Sequence, residues 1–125
     1  MRNDVVAEKG QKLVEGYFKA RGWEVDDITK RDNTLPYDIA VRKGPNWRWM
    51  KLQVKTTRGP KNDTLTFRTR KSRRGKKVNY EPRDLHMFAF VDHATETMVH
   101  STYARKGYFA FSTDKWEEIC VECRL

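Results

Sequence analysis

At 125 residues the chain can close one hydrophobic core and is too short for two, so a single domain over residues 1–125 is expected. With 38% hydrophobic and 34% charged residues, and no apolar run near the ~20 residues of a membrane span, the composition is that of a soluble globular protein and excludes a bilayer-crossing helix. The net charge of +9 is concentrated: residues 51–83 hold twelve Lys and Arg against only Asp63 and Glu81, a local +10 that leaves −1 for the rest, the signature of a polyanion binder rather than of a membrane-surface helix.

The N-terminal residues lack an apolar segment of signal-peptide type, which predicts an intracellular, cytoplasmic protein. Asn3 and Asp4 are helix-capping residue types. After them Val6, Gly10, Leu13, Val14, Tyr17 and Phe18 recur at helical spacing and give one apolar stripe, and Gly22 ends the helix. Trp23, Val25 and Ile28 read as a short strand, and residues 32–34 as a turn. Tyr37, Ile39 and Val41 alternate with Asp38, Ala40 and Arg42, the period of a strand; Lys43-Gly44-Pro45-Asn46 is a turn. A longer strand is expected over residues 47–57, with Met50, Leu52 and Val54 on one face and Lys51, Gln53 and Lys55 on the other. A further strand follows over residues 65–70. Residues 71–77 are too basic and polar to pack and read as a loop. Residues 85–91 are nearly all apolar, as a central strand buried on both faces would be. A turn at residues 92–96 leads to a strand over residues 97–103, and Ser112-Thr113-Asp114 caps a last helix. The order predicts an α/β domain with a mixed β-sheet flanked by helices.

Cys120 and Cys123 are too few for a disulfide framework, and a lone Cys-x-x-Cys lacks two of the ligands of a tetrahedral zinc site. They read as the end of the last helix, with Trp116, Ile119 and Cys123 on one face. His86, His93 and His100 show no metal-ligand spacing.

The segment with chemical content is Asp38 followed by Gln53-Val54-Lys55. Gln53 and Lys55 lie two apart on one strand and project from the same face, and a short hairpin brings Asp38 alongside. A carboxylate, an amide oxygen and an ammonium then converge. Phosphodiester hydrolysis needs such a set: oxygen ligands for a hard cation and a positive group for the developing negative charge. An Asp and a Lys on neighbouring strands also occur as a solvated pair, and spacing alone does not separate the two readings.

The run Leu35-Pro36-Tyr37-Asp38-Ile39-Ala40-Val41, a hairpin, then Lys51-Leu52-Gln53-Val54-Lys55-Thr56-Thr57 resembles the core of the PD-(D/E)XK nucleases. Its glutamine form is similar to the small homing endonucleases associated with group I introns of cyanobacteria and their phages. Upstream, Lys9-Gly10-Gln11, Val14, Phe18 and Gly22-Trp23-Glu24-Val25 resemble that family's first helix and its exit, and the likeness runs over roughly residues 8–103. It implies a restriction-endonuclease-like core and a site-specific, double-strand DNA endonuclease using Mg²⁺ or Mn²⁺. It implies Asp38 as main metal ligand, Gln53 as second ligand or water-orienter, the Val54 carbonyl as a third, and Lys55 as the group that positions water or stabilises the phosphorane. A first-helix glutamate of the family is matched here by Gln11. At ~100° per residue, Gln11 lies ~100° from the middle of the apolar stripe, Glu15 ~140° and Glu8 ~160°. Gln11 is therefore kept in the site, with Glu15 in reserve and both glutamates expected to face outward.

The basic segment supplies the phosphate contacts expected of a DNA-binding surface: Arg58, Arg68, Arg70, Lys71, Arg73, Arg74, Lys76 and Lys77. Trp47 and Trp49, on the strand face of Lys51, either stack on bases or pack in the protein. The aromatic stretch of residues 103–111 is the expected interface of a homodimer or homotetramer on double-stranded DNA. Two other functions share these features: a structure-specific nuclease of the Holliday-junction-resolvase kind, and a DNA-binding module of the same fold without catalysis.

Overall fold

The computed structural model describes residues 2–32 and 34–123, without the side chain of Arg73; Asn33 of the expected turn and the Arg73 side chain lie outside the described residues. Helix α1 (Asn3–Ala20) buries Val6, Gly10, Val14 and Phe18, the stripe that the spacing predicts. Its capping differs from expectation. Arg2 holds the N-cap position without a side-chain bond, and Asn3 and Asp4 lie inside the first turn, where the Asp4 carboxylate complements the helix dipole. Gly22 takes φ +81°, which lets the Trp23 N–H return to the Phe18 carbonyl at 3.0 Å and closes the helix.

Strand β1 (Glu24–Asp27) runs into a 3-10 turn (Ile28–Lys30). The Asp27 carboxylate caps this turn by accepting from the Lys30 N–H at 3.3 Å, so Ile28 is buried beneath a turn rather than in the strand. Strands β2 (Ile39–Arg42) and β3 (Met50–Thr57) form an antiparallel hairpin with Ile39 opposite Leu52. β3 starts later than expected because the Trp47 N–H closes the turn on the Gly44 carbonyl instead of joining the ladder. Trp47 and Trp49 are exposed, with Lys43 and Arg42 over their rings at 5.7 and 4.5 Å.

The chain continues through β4 (Thr64–Arg68), β5 (Arg70–Arg73), β6 (Lys76–Asn79), β7 (Met87–Asp92), β8 (Thr97–Thr102), β9 (Tyr108–Ser112), α2 (Thr113–Ile119) and β10 (Val121–Glu122). The main sheet has the order β1-β2-β3-β7-β8-β10. Within it β3 and β7 pair in parallel and the other neighbours antiparallel, so the sheet is mixed, as expected. Phe88, Ala89, Phe90 and Val91 of β7 are fully buried, the pattern of a strand covered on both faces.

Each face of the sheet has its own core. On one face Val14 and Phe18 of α1 pack with Ile39, Val41, Leu52, Val54, Ala89 and Met98. On the other, Phe67 of β4 and Trp116 of α2 pack with Tyr80, Leu85, Phe88 and Phe90. Ser112 caps α2 by accepting from the Lys115 N–H at 3.1 Å, as its residue type predicts.

Three expectations are corrected. Residues 71–77 are not a loop: β5 and β6 form a separate two-stranded ribbon whose tip, Arg74 (φ +52°) and Gly75 (φ +77°), turns in two residues. Positive φ at both tip positions matches the right-handed twist of the strands, so the ribbon forms without an apolar pattern. Residues 103–111 are not a free aromatic surface. β9 pairs with β4, and Phe109 and Phe111 lie 4.9 and 5.8 Å from the Phe90 ring, which leaves Tyr108 exposed. Trp116 and Cys123 do not share a helical face. The helix ends at Ile119, Trp116 joins one core and Cys123 the other, and Ile119 is exposed.

Candidate active site

β3 alternates strictly. Leu52 and Val54 face α1, and Gln53 and Lys55 project beside Phe88 and Phe90, their partners on β7. Asp38 stands one residue before β2. Its backbone is fixed on both sides, N–H to the Leu52 carbonyl (2.9 Å) and carbonyl to the Ile28 N–H (3.0 Å), and its Oδ2 accepts from the Val54 N–H at 2.9 Å. The side chain is thus held by the strand that carries Gln53 and Lys55. One cleft of about 450 Å³ is lined by Gln11, Asp38, Gln53, Val54 and Lys55, with Glu8, Thr56 and Arg58 at its margin. The four expected site residues and Val54 therefore line one cleft. Burial raises the Asp38 carboxyl above its ordinary value, against the Val54 hydrogen bond and the Lys55 charge, which lower it. Burial likewise lowers Lys55, against the attraction of Asp38, and nearby Lys77 lowers it further. The Lys55 ammonium lies 5.2 Å from the centre of the Tyr80 ring.

Glu15 is the correction on the helix. It is buried rather than outward, because β1 and the 3-10 turn cover that flank of α1. The Gln11 amide Nε2 donates to Asp27 Oδ1 (2.9 Å), Thr29 Oγ1 (3.0 Å) and Glu15 Oε2 (3.3 Å). Burial, then the Asp27 charge, raise the Glu15 carboxyl, while hydrogen bonds from Thr29 and the Lys30 N–H hold Asp27 low despite its partial burial. Glu8 is exposed but reaches the margin of the cleft. Asp27 and Thr29 went unrecognised in the sequence; the Asp27-Ile28-Thr29-Lys30 run, an Asp three residues ahead of the N–H it caps, is the signal that marks them.

The basic residues divide. Arg58 stands at the margin of the cleft, and its Nη2 donates to Asn3 Oδ1 at 2.9 Å. Lys71 is tied to Asp84 at 2.6 Å, and both border a second opening that also contains Asp38, Gln53, Ser72 and Tyr80. Arg74 and Lys76 are exposed at the ribbon tip. Arg68, Arg70 and Lys77 line a separate groove with Tyr108. His86 accepts from the Lys51 N–H through Nδ1, a structural role, and among the described residues no three His, Cys, Asp or Glu cluster as metal ligands. Among the same residues no helix is long and apolar enough to cross a membrane.

The fold is similar to that of a bacterial homing endonuclease, I-Ssp6803I, with a TM-score of 0.72, 16% sequence identity, and 89% of this chain and 78% of that chain covered. No protein-family model and no curated protein sequence matches the chain. The architecture is thus a homing-endonuclease-like α/β fold with a mixed sheet.

Proposed function

We infer that the protein is a metal-dependent DNA endonuclease. The observation that carries this is the convergence of Asp38, Gln53, Val54 and Lys55 on one cleft of a homing-endonuclease-like fold. The donor chemistry fits Mg²⁺ or Mn²⁺: one anionic and several neutral oxygens suit a hard cation that keeps part of its water shell. Asp38, the Gln53 amide oxygen and the Val54 carbonyl would hold the ion, which supplies charge to a phosphate oxygen and lowers the pKa of bound water.

The chain's own groups do the rest. Asp38 is kept in place by the Val54 N–H and needs no reorganisation to present its free oxygen. Lys55, poorly solvated and lowered by burial, stabilises a pentacovalent phosphorane or orients water against it. Gln11, with its amide nitrogen engaged by Asp27, Thr29 and Glu15, contributes a neutral group at the helix side of the cleft. Arg58 and the cations of the β5–β6 ribbon bind the phosphate backbone. Double-stranded DNA is the substrate, cut at a specific site, by a homodimer or homotetramer.

Supercoiled plasmid tests this reading. Nicking and linearisation are expected with Mg²⁺ or Mn²⁺, lost with chelator and lost in Asp38→Ala. Tight DNA binding with no cleavage in any divalent metal would favour the non-catalytic module, for which the amides at Gln11 and Gln53 speak.

A further inference from the structure

On the outward face of the β4–β9 ladder, Arg68 stands directly opposite Tyr108. Arg70 and Lys77 of the ribbon close the other side, and with Thr66 and Gly107 these residues enclose a groove of about 420 Å³. Among the described residues its lining holds three cations and no acid. Tyr108 is 62% exposed beside them. Arg70 is held in place: its Nε donates to Asn79 Oδ1 at 3.3 Å, and its guanidinium packs so closely on Gly107 that a Cβ there would lie 2.7 Å from it. Lys77 reaches across the ribbon to Ser72 Oγ at 3.0 Å, toward the opening that holds Asp38, so it stands between that opening and the basic groove. These contacts aim the cations, which a merely solvated surface does not require.

Among the described residues this groove shares no lining residue with the openings around Asp38. Strand β5 serves both sides: Lys71 and Ser72 border the opening that holds Asp38 and Gln53, and Arg70 lines the basic groove. The ribbon is therefore a wall between two polar channels. Its strands are ~4.8 Å apart, and a two-stranded ribbon is what a major groove ~12 Å wide admits, with one phosphate backbone on either side. We propose that the β5–β6 ribbon lies in the major groove of duplex DNA, with the strand to be cut in the Asp38–Lys55 cleft and the backbone of the opposite strand in the Arg68–Arg70–Lys77–Tyr108 groove. The proposal rests on the endonuclease reading above and adds the placement of the second strand.

The test uses the full chain carrying Asp38→Asn, which binds without cutting, and fluorescence anisotropy against salt on a duplex and on one of its strands alone. Adding Arg68→Ala and Arg70→Ala is expected to flatten the duplex slope of log K against log salt by up to about 1.8, at about 0.9 for each phosphate contact. The single strand, which fills only the cleft, is expected to keep its slope. Gly107→Ala, which pushes the Arg70 guanidinium aside at little cost to the fold, is expected to weaken duplex binding about threefold or more and to leave the single strand unaffected. An unchanged duplex slope, or an equal proportional loss on the single strand, overturns the placement. A chain that binds duplex with the expected slopes but never cuts in any metal keeps the placement and loses the endonuclease reading. A chain that binds no duplex overturns both.

Discussion

Asp38 carries two opposed costs. The proposed metal-ligand role needs the charge, and burial penalises the charge, so the folded protein holds the carboxyl above the ordinary value of 3.8. The consequence for stability has a definite sign. Below the ordinary value Asp38 is protonated in both folded and unfolded chains and costs nothing. As pH rises through the raised folded value, the buried anion destabilises the fold. Asp38→Asn keeps an oxygen for the Val54 N–H and removes the charge. This variant is therefore expected to melt above wild type at neutral pH without metal, and the gap is expected to close as pH falls toward 3.8. Thermal melts across that range check it; a variant that melts below wild type at pH 7 would refute the burial argument. Lys55→Ala is expected to lose about 10²–10⁴-fold in cleavage rate, the usual weight of one positioned proton or charge donor, with DNA affinity retained. Wild-type cutting by this variant would remove Lys55 from the site. Gln53 separates ligation from packing: Gln53→Glu adds an anionic oxygen and is expected to keep activity with an altered metal preference, whereas Gln53→Leu is expected to be nearly inactive. A metal titration of cleavage distinguishes them, and full activity of the Leu variant would show that this side chain does not serve the metal.

Helix α1 reaches the sheet through a glycine. A Cβ on Gly10 would collide with Thr56 Oγ1 and come within 2.9 Å of Thr56 Cβ and Cγ2, so α1 would have to lift off β3. Gly10→Ala is expected to cost about 1–3 kcal/mol through overpacking, and to slow cleavage because Gln11 is its neighbour in the chain. Gly16→Ala on the same helix meets nothing within 4 Å and is expected to stabilise by up to about 1 kcal/mol through helix propensity. Urea midpoints for the two variants check the contrast, and equal midpoints would deny the close approach. This contact also marks where sequence reasoning stops. The stripe of α1, the alternation of β3 and the apolar run of β7 were legible because burial repeats along each element at its own period. The juxtaposition of Asp38, Gln53 and Lys55 followed from strand alternation and one hairpin. The β5–β6 ribbon was not legible, because its ladder is made by backbone and a two-residue turn rather than by an apolar pattern. The pairing of β9 was not legible because its partner strand, β4, lies about forty residues earlier. Glu15 was misplaced because helical angle alone does not include the β1 flank that buries it.

The whole molecule presents one set of Asp38, Gln53 and Lys55, and under the proposed endonuclease reading each such set acts on one phosphodiester at a time. Cutting both strands of a duplex then takes either two visits or two copies facing opposite strands. Duplex DNA has local two-fold symmetry, and the closed arrangement that matches it is a two-fold dimer with an isologous interface. Phe109 and Phe111 pack on Phe90 inside the chain, which leaves Tyr108 as the exposed ring of the segment expected to form the interface. Light scattering at micromolar concentration with DNA bound is expected to report two or four chains of 14.9 kDa each. Plasmid cleavage gives an independent reading. A dimer that stays bound converts supercoiled to linear DNA with little nicked intermediate, whereas a monomer accumulates nicked circles first. A chain that is strictly monomeric both free and on DNA, and that still linearises plasmid without a nicked intermediate, would defeat the two-copy account.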